Sequence, residues 1–164
     1  MTFSVGSKLV EFAFLTKINN KIIEISFNDL FMNKTVALFG MPGAFTPTCS
    51  KLHLPSITDA LDSLIMKGVD SVAILTTNDP HVNSKWAKVN KLNPKDVILL
   101  CDVDARFTEA SGMLFSAPES GLIRRSNRYA LIAENGIIKS LHVELSRGVC
   151  DISSGENLLK ATNW

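Results

Sequence analysis

The chain has 164 residues, and because 46% of them are hydrophobic it has enough apolar material for one compact core. Its 17 basic and 16 acidic residues leave a formal net charge of +1, and neither sign forms a long run of the kind that binds nucleic acid. The apolar stretches are strand-sized, well short of the ~20 residues needed to cross a bilayer, so we expect a soluble protein with one domain, residues 1–164, and no nucleic-acid or membrane partner.

The three cysteines show no disulfide-framework spacing, which favours free thiols in a reducing compartment. The first six residues contain no basic segment followed by an apolar one, so no secretory signal is predicted. We therefore expect an intracellular protein. Because a removed transit peptide would leave no trace, the cytosol, the mitochondrial matrix and the plastid all remain open.

Strands are predicted in the first third of the chain. Residues 10–16 and 21–27 flank Asn19-Asn20, a pair that tolerates the positive φ angles of a tight turn, so an N-terminal β-hairpin is expected. Residues 36–41 form an apolar run of strand length and composition.

A Pro/Gly-rich loop, residues 42–48, then leads to Cys49 and to apolar residues at helical spacing. Cys49 should therefore lie in the first turn of a helix that Pro55 kinks. Unpaired backbone N–H groups and the positive end of the helix dipole favour an anion at this position, so the sequence indicates a reactive thiolate.

Strands and helices alternate through the middle of the chain. Residues 72–75 and 97–101 are apolar runs of strand length, and Asp79-Pro80 is typical of a helix start. We expect that helix to present Val82, Trp86 and Val89 on one packed face, and a short helix from Asp104 to carry Phe107, Ala110 and Leu114.

The last third is predicted to contain a second hairpin and a terminal helix. Asn135-Gly136 is a strong turn signal between apolar runs at 129–133 and 137–143, and Ser153-x-x-Glu156 is a possible capping box. The complete pattern predicts an α/β protein with a central mixed sheet flanked by helices, which is the thioredoxin arrangement.

The loop and the cysteine carry a family resemblance. The spacing Pro42-x-x-x-Thr46-x-x-Cys49 resembles the active-site signature of the peroxiredoxins, and residues 42–55 resemble the peroxiredoxin-5 subfamily, also called type II or atypical peroxiredoxins. Similarity continues through most of the chain, including Trp86 and Arg128-Tyr129. The resemblance implies a thioredoxin-like fold, a homodimer and a peroxidase that reduces hydrogen peroxide and alkyl hydroperoxides without a cofactor.

This chemistry requires an ionised sulfur and fixed donors for the developing negative charge. Cys49 is the predicted nucleophile, Thr46 is expected to hydrogen-bond the thiolate and a peroxide oxygen, and Pro42 is expected to shield the sulfur from water. Arg124, Arg125 and Arg128 are all candidates for a permanently charged donor. The resemblance selects Arg128.

The sulfenic acid formed on Cys49 must then be reduced. Cys150 is a possible internal resolving thiol, but its loop is shorter than in vertebrate members of the subfamily. The alternative is a one-cysteine cycle in which glutathione, glutaredoxin or thioredoxin supplies the electrons. Cys101, in an apolar strand, is predicted to be inert core.

Other chemistries have weaker signals. His53 follows Cys49 by one turn and is expected to be structural or to line the pocket, and no cysteine or histidine spacing indicates a metal site. Two further functions remain open: a thioredoxin-fold redox relay, and an interaction or chaperone protein without substantial peroxidase turnover. A relay normally uses Cys-x-x-Cys, whereas residue 46 is threonine.

Overall fold

A computed structural model describes residues 2–161, in which a seven-stranded mixed sheet is accompanied by a separate two-stranded sheet. The strands are β1 (Phe14–Ile18), β2 (Lys21–Ile25), β3 (Thr35–Gly40), β4 (Ser71–Thr76), β5 (Val97–Cys101), β6 (Leu114–Ala117), β7 (Leu122–Ser126), β8 (Tyr129–Glu134) and β9 (Ile137–Val143). The helices are α1 (Phe27–Phe31), α2 (Leu54–Met66), α3 (Pro80–Val89), α4 (Arg106–Ala110) and α5 (Gly155–Lys160), and Cys49–His53 forms a π-helical turn.

The large sheet has the strand order β2-β1-β5-β4-β3-β8-β9; its central strands are buried on both faces, whereas the edge strand β2 is largely exposed. Side chains of β3 alternate between the two apolar clusters: Ala37 and Phe39 belong to one, and Val36 and Leu38 to the other. Helices α2, α3 and α5 contribute to the first cluster, and α1 and α4 to the second. The predicted thioredoxin-like α/β class is therefore confirmed.

Both predicted hairpins are present. β1 and β2 pair around Asn19 and Asn20, which have positive φ angles of 48° and 66°. β8 and β9 pair around Asn135 and Gly136, with φ angles of 50° and 77°. The first hairpin is shorter than predicted because β1 begins at Phe14 and the chain leaves β2 at Ile25 to enter α1, a helix that the sequence analysis missed.

Two helix faces differ from the prediction. α3 begins after Asp79 as expected, but Val89 is exposed, and the buried face carries Asn83, Trp86 and Ala87. Leu114 lies outside α4 and begins β6, which pairs with β7 in the small sheet. The apolar spacing that suggested a longer helix at 104–114 thus covers a helix, a turn and the start of a strand.

The N-termini of α4 and α5 also differ from the prediction. Asp102, rather than Asp104, accepts hydrogen bonds from the backbone of Phe107 and Thr108 at 3.2 and 2.8 Å. The N-cap of α5 is Ser154, not Ser153, and its hydroxyl accepts from the backbone of Asn157. The predicted Ser153 capping box is therefore wrong.

Pro55 does not kink α2, because it lies in the first turn of that helix. The chain before it widens into the π-helical turn, in which the Leu54 N–H donates to the Cys49 carbonyl. A wider turn accommodates a proline, which has no N–H and whose ring crowds the preceding turn. Among the helices of residues 2–161, none has both the length and the apolar character needed to cross a bilayer.

Candidate active site

Cys49 is the first residue of the π-helical turn and is completely buried. The loop that precedes it leaves β3 at Gly40, which is paired with Tyr129 of β8. A β-carbon at Gly40 would lie 2.1 Å from the Tyr129 ring, so only glycine permits this close approach. The sheet register therefore brings the start of β8 beside the loop that carries Cys49.

Arg128 immediately precedes β8 and extends its side chain to Cys49. Its Nη2 lies 3.3 Å from the Cys49 sulfur, and the residue is 1% exposed. The other two candidate arginines lie elsewhere: Arg124 pairs with Glu109 at 2.8 Å on the surface, and Arg125 donates to the Pro42 carbonyl at 3.1 Å. Of the three, Arg128 alone contacts the sulfur.

The remaining partners of Arg128 are neutral. Nη1 donates to His53 Nδ1 at 3.0 Å, and Nη2 also donates to the Arg147 carbonyl at 3.0 Å. Within residues 2–161, no carboxylate forms an ion pair with this guanidinium. Because the charge of a buried cation is not compensated by an acid, a thiolate at Cys49 is a favourable partner.

His53 is held in one neutral tautomer. Its Nε2 lies 2.9 Å from the Ser153 carbonyl, which can only accept, so Nε2 carries the proton. Nδ1 is then free to accept from Arg128, which can only donate. Burial, reinforced by the positive charge of Arg128 and opposed by the bond to Ser153, lowers the pKa of His53 from 6.5 to about 3. No local sequence pattern predicts this contact with Arg128.

Thr46 lies three residues before Cys49, in the wall of a pocket. Its hydroxyl donates to the Gly43 carbonyl at 2.7 Å. Because a hydroxyl has a single proton, this bond differs from the prediction that Thr46 donates to the thiolate. The lone pairs of the oxygen remain available to accept a hydrogen bond. The loop is further fixed by Asn78, whose side-chain oxygen accepts from the Ala44 N–H at 2.8 Å.

The pocket has a volume of about 280 Å³ and is next to the guanidinium of Arg128. Its walls combine the Cys49 loop with the segment before α5 and the end of the small sheet; they include Pro42, Thr46, Pro47, Leu122, Arg147 and Gly148. Cys49 has no exposed surface and is not among the lining residues, but its partner Arg128 is.

Comparison with known proteins relates this geometry to a family. The Redoxin family matches residues 4–159. Peroxiredoxin-2E-2, chloroplastic, from Oryza sativa subsp. japonica is 37% identical over 164 residues, which cover 98% of this chain and 72% of the relative. The chain belongs to the peroxiredoxins, in the type II, peroxiredoxin-5-like group. It is accordingly a thiol-dependent peroxidase, and the peroxiredoxin family implies a peroxide substrate and a thioredoxin-type reductant.

Solved structures agree with this assignment. Reduced Prx3 in complex with H2O2 from Vibrio vulnificus is 33% identical and superimposes with a TM-score of 0.90. The match covers 98% of this chain and 99% of that structure's chain. The Plasmodium falciparum antioxidant protein, described as a 1-Cys peroxiredoxin, is 26% identical with a TM-score of 0.86, over 94% and 95% of the two chains. Neither a redox relay nor a non-enzymatic protein is favoured by these relatives.

The two other cysteines of this peroxiredoxin lie in different environments. Cys101 is buried in β5 and accepts a hydrogen bond from Asn83 at 3.2 Å, and burial raises its pKa to about 12. Cys150 is half-buried in the segment between β9 and α5, and burial also raises its pKa. In residues 2–161, no group of three or more histidine, cysteine or acidic side chains is arranged to hold a metal ion.

Proposed function

We propose that Cys49 is the peroxidatic thiol, which reduces hydrogen peroxide and alkyl hydroperoxides. Its thiolate attacks one oxygen of the peroxide, the O–O bond breaks, and the departing oxygen takes a proton and leaves as water or an alcohol. Cys49 becomes a sulfenic acid. The observation that carries this proposal is the buried guanidinium of Arg128, which lies 3.3 Å from the sulfur and forms no ion pair with an acidic residue of the described chain, 2–161.

The surrounding groups have distinct roles in this proposal. Arg128 stabilises the negative charge on the sulfur and on the departing oxygen. Thr46, whose own proton is donated to Gly43, accepts a hydrogen bond from the O–H of the peroxide and so orients it. Pro42 keeps water away from the sulfur. The backbone N–H groups of Thr48 and Cys49, at the start of the helical segment, supply further donors.

The sulfenic acid is reduced by an external thiol, with glutathione and glutaredoxin, or thioredoxin, as the donor. The thiol sulfur attacks the Cys49 sulfur, water leaves, and a second thiol releases Cys49 by exchange. Support comes from the raised pKa of Cys150, which leaves little thiolate for an internal attack. The solved relative named as a 1-Cys peroxiredoxin is consistent with this cycle. Internal resolution by Cys150 is the second candidate.

The chain is proposed to act as one domain, residues 1–164, and to form a homodimer through the loops around the active site. Phe45, in the Cys49 loop, is 53% exposed, and Pro47 beside it is also exposed, so the two offer apolar contact area. The proposed location is intracellular, in the cytosol or in the matrix of a mitochondrion or plastid. The name of the rice relative, which includes "chloroplastic", favours an organelle.

The peroxidase assignment of Cys49 is tested by following tert-butyl hydroperoxide consumption with dithiothreitol as reductant. Cys49→Ser should reduce turnover to the rate in buffer, because a hydroxyl is a far poorer nucleophile than a thiolate. Cys101→Ser makes the same change at a buried thiol distant from Arg128 and should retain wild-type turnover. Turnover by Cys49→Ser clearly above the buffer rate would refute the assignment.

A further inference from the structure

We propose that Glu144 and His53 are positioning residues that hold the Arg128 guanidinium against Cys49 through a chain of hydrogen bonds. The inference rests on the proposed function, in which Arg128 acts on the Cys49 thiolate and on the peroxide.

Arg128 requires such support because no acidic residue in the described part of the chain pairs with it. Its long side chain has several rotatable bonds, and in residues 2–161 its Nε is buried without a hydrogen-bond partner. Apart from the sulfur, the hydrogen-bond partners of the guanidinium within that range are His53 Nδ1 and the Arg147 carbonyl. These two acceptors therefore determine where its planar fork points.

His53 can accept from Arg128 only if its proton stays on Nε2. The Ser153 carbonyl fixes the proton there, at an Nε2 to oxygen distance of 2.9 Å. The ring is fully buried and packs edge-on against Phe39. The position of the Ser153 backbone thus determines where His53 Nδ1 accepts the hydrogen bond from Arg128.

Glu144 fixes the Ser153 backbone in turn. One carboxylate oxygen accepts from the Ser153 N–H at 2.9 Å, from the Ser153 hydroxyl at 2.8 Å and from the Asp151 N–H at 2.6 Å. The backbone N–H of Glu144 donates to the Arg128 carbonyl at 2.9 Å. Glu144 therefore anchors residues 151–153 directly to the residue whose side chain they orient.

The Glu144 carboxylate also holds together the two ends of the segment that contains Arg147, whose carbonyl is the other acceptor of Arg128. Residues 145–150 connect Glu144 to Asp151, and Arg147 is among them. Loss of the three bonds to Glu144 would allow the Ser153 and Arg147 carbonyls to move from their present positions. The apolar clusters would stay intact. Arg128 could then move away from the sulfur in a protein that remains folded.

The test uses variants of the full chain. Glu144→Leu removes the oxygen that accepts the three bonds, whereas Glu144→Gln keeps one side-chain oxygen that can still accept them. His53→Asn keeps an acceptor near the position of Nδ1, whereas His53→Leu removes both polar atoms. Glu156→Leu is the matched control, because this exposed glutamate pairs with Lys160 and has no contact with the chain of bonds.

Two quantities are measured for each variant whose circular dichroism matches wild type. The first is the pH dependence of Cys49 alkylation by iodoacetamide, assigned to Cys49 by mass spectrometry, which needs no turnover. The second is the rate constant for oxidation by hydrogen peroxide. Glu144→Leu should shift the alkylation midpoint to higher pH and slow oxidation at neutral pH on the order of tenfold, and Glu144→Gln should have a smaller effect.

His53→Leu should show a larger shift than His53→Asn, and Glu156→Leu should match wild type. Folded Glu144→Leu and His53→Leu proteins with the wild-type midpoint and oxidation rate would overturn the inference, even if their unfolding temperatures fell, since only a structural role would remain. If peroxide does not oxidise Cys49 in wild type while Glu144→Leu still shifts the midpoint, the proposed function fails and the positioning role stands.

Discussion

Arg128 Nη2 lies 3.3 Å from the sulfur of Cys49, although the two residues are 79 positions apart in the chain. The contact exists because β8 pairs with β3 in a register that sets Tyr129 opposite Gly40. The side chain before β8 thus reaches the loop after β3. A buried cation is placed where the proposed reaction develops negative charge.

The first prediction concerns this contact. Arg128→Ala should slow oxidation by hydrogen peroxide by about 10²–10³-fold, the usual effect of removing one preorganised donor from a developing anion. Arg128→Lys should be intermediate, because an ammonium keeps the charge but cannot contact Cys49, Arg147 and His53 with the geometry of the fork. Stopped-flow kinetics of the reduced protein measures the rate. Arg124→Ala, at the surface, is the control, and equal rates for Arg128→Ala and wild type would show that the arginine is misassigned.

The second prediction concerns the hydroxyl of Thr46. Thr46→Val should slow peroxide oxidation by about 10²-fold, because the acceptor for the peroxide O–H is lost. Thr46→Ser keeps the hydroxyl and its bond to Gly43, and should retain most of the rate. Single-turnover kinetics with hydrogen peroxide separates the two variants. A wild-type rate in Thr46→Val together with a loss in Thr46→Ser would assign the effect to packing of the Thr46 methyl group instead.

The third prediction is that the cycle does not require Cys150. Thr48 donates to the Gly148 carbonyl at 3.2 Å, and the Arg147 carbonyl accepts from Arg128, so the segment before Cys150 is bound to the active site. Movement of Cys150 to Cys49 would break contacts that orient Arg128. Cys150→Ser should therefore keep most of its turnover with glutathione and glutaredoxin.

Non-reducing peptide mapping after one equivalent of peroxide provides the direct measurement. A Cys49 sulfenic acid or a glutathione adduct is expected. A stoichiometric Cys49–Cys150 disulfide formed faster than turnover would contradict the prediction and would make this a two-cysteine enzyme.

The fourth prediction links His53 to acid stability. Its pKa is 6.5 in the unfolded chain and about 3 in the folded protein, so the unfolded state binds more protons between these values. The contribution of His53 to the free energy of unfolding is complete above pH 6.5. It should fall by about 1.4 kcal/mol for each pH unit as the pH drops toward 3.

Urea unfolding between pH 7 and pH 4 measures this contribution. His53→Asn should lose less stability on acidification than wild type, since asparagine does not titrate. His81→Asn changes an exposed histidine and should follow the wild-type slope. An unchanged slope in His53→Asn would mean that another group governs the acid response.

Local chemistry made much of the fold predictable. The turns at Asn19-Asn20 and Asn135-Gly136, and the helix start at Asp79-Pro80, depend on backbone preferences of neighbouring residues, and all three were predicted. Elements without a local signal were missed. α1 has five residues, β6 has four and β7 has five, so none of the three has a periodic pattern long enough to detect. β6 and β7 are stabilised by pairing with each other.

The active site divides in the same way. Cys49, Thr46 and Pro42 lie in one segment, and the local pattern around them predicted a strand, a loop and a helical turn that contains Cys49. The choice among three arginines came from family resemblance, while the register of β3 and β8 brings Arg128 to the sulfur. His53 and Ser153 are 100 residues apart, and Glu144 reaches Ser153 only because its segment folds back on itself. Such contacts depend on strand register and on the path of loops, which are decided when the whole chain packs and which no local pattern encodes.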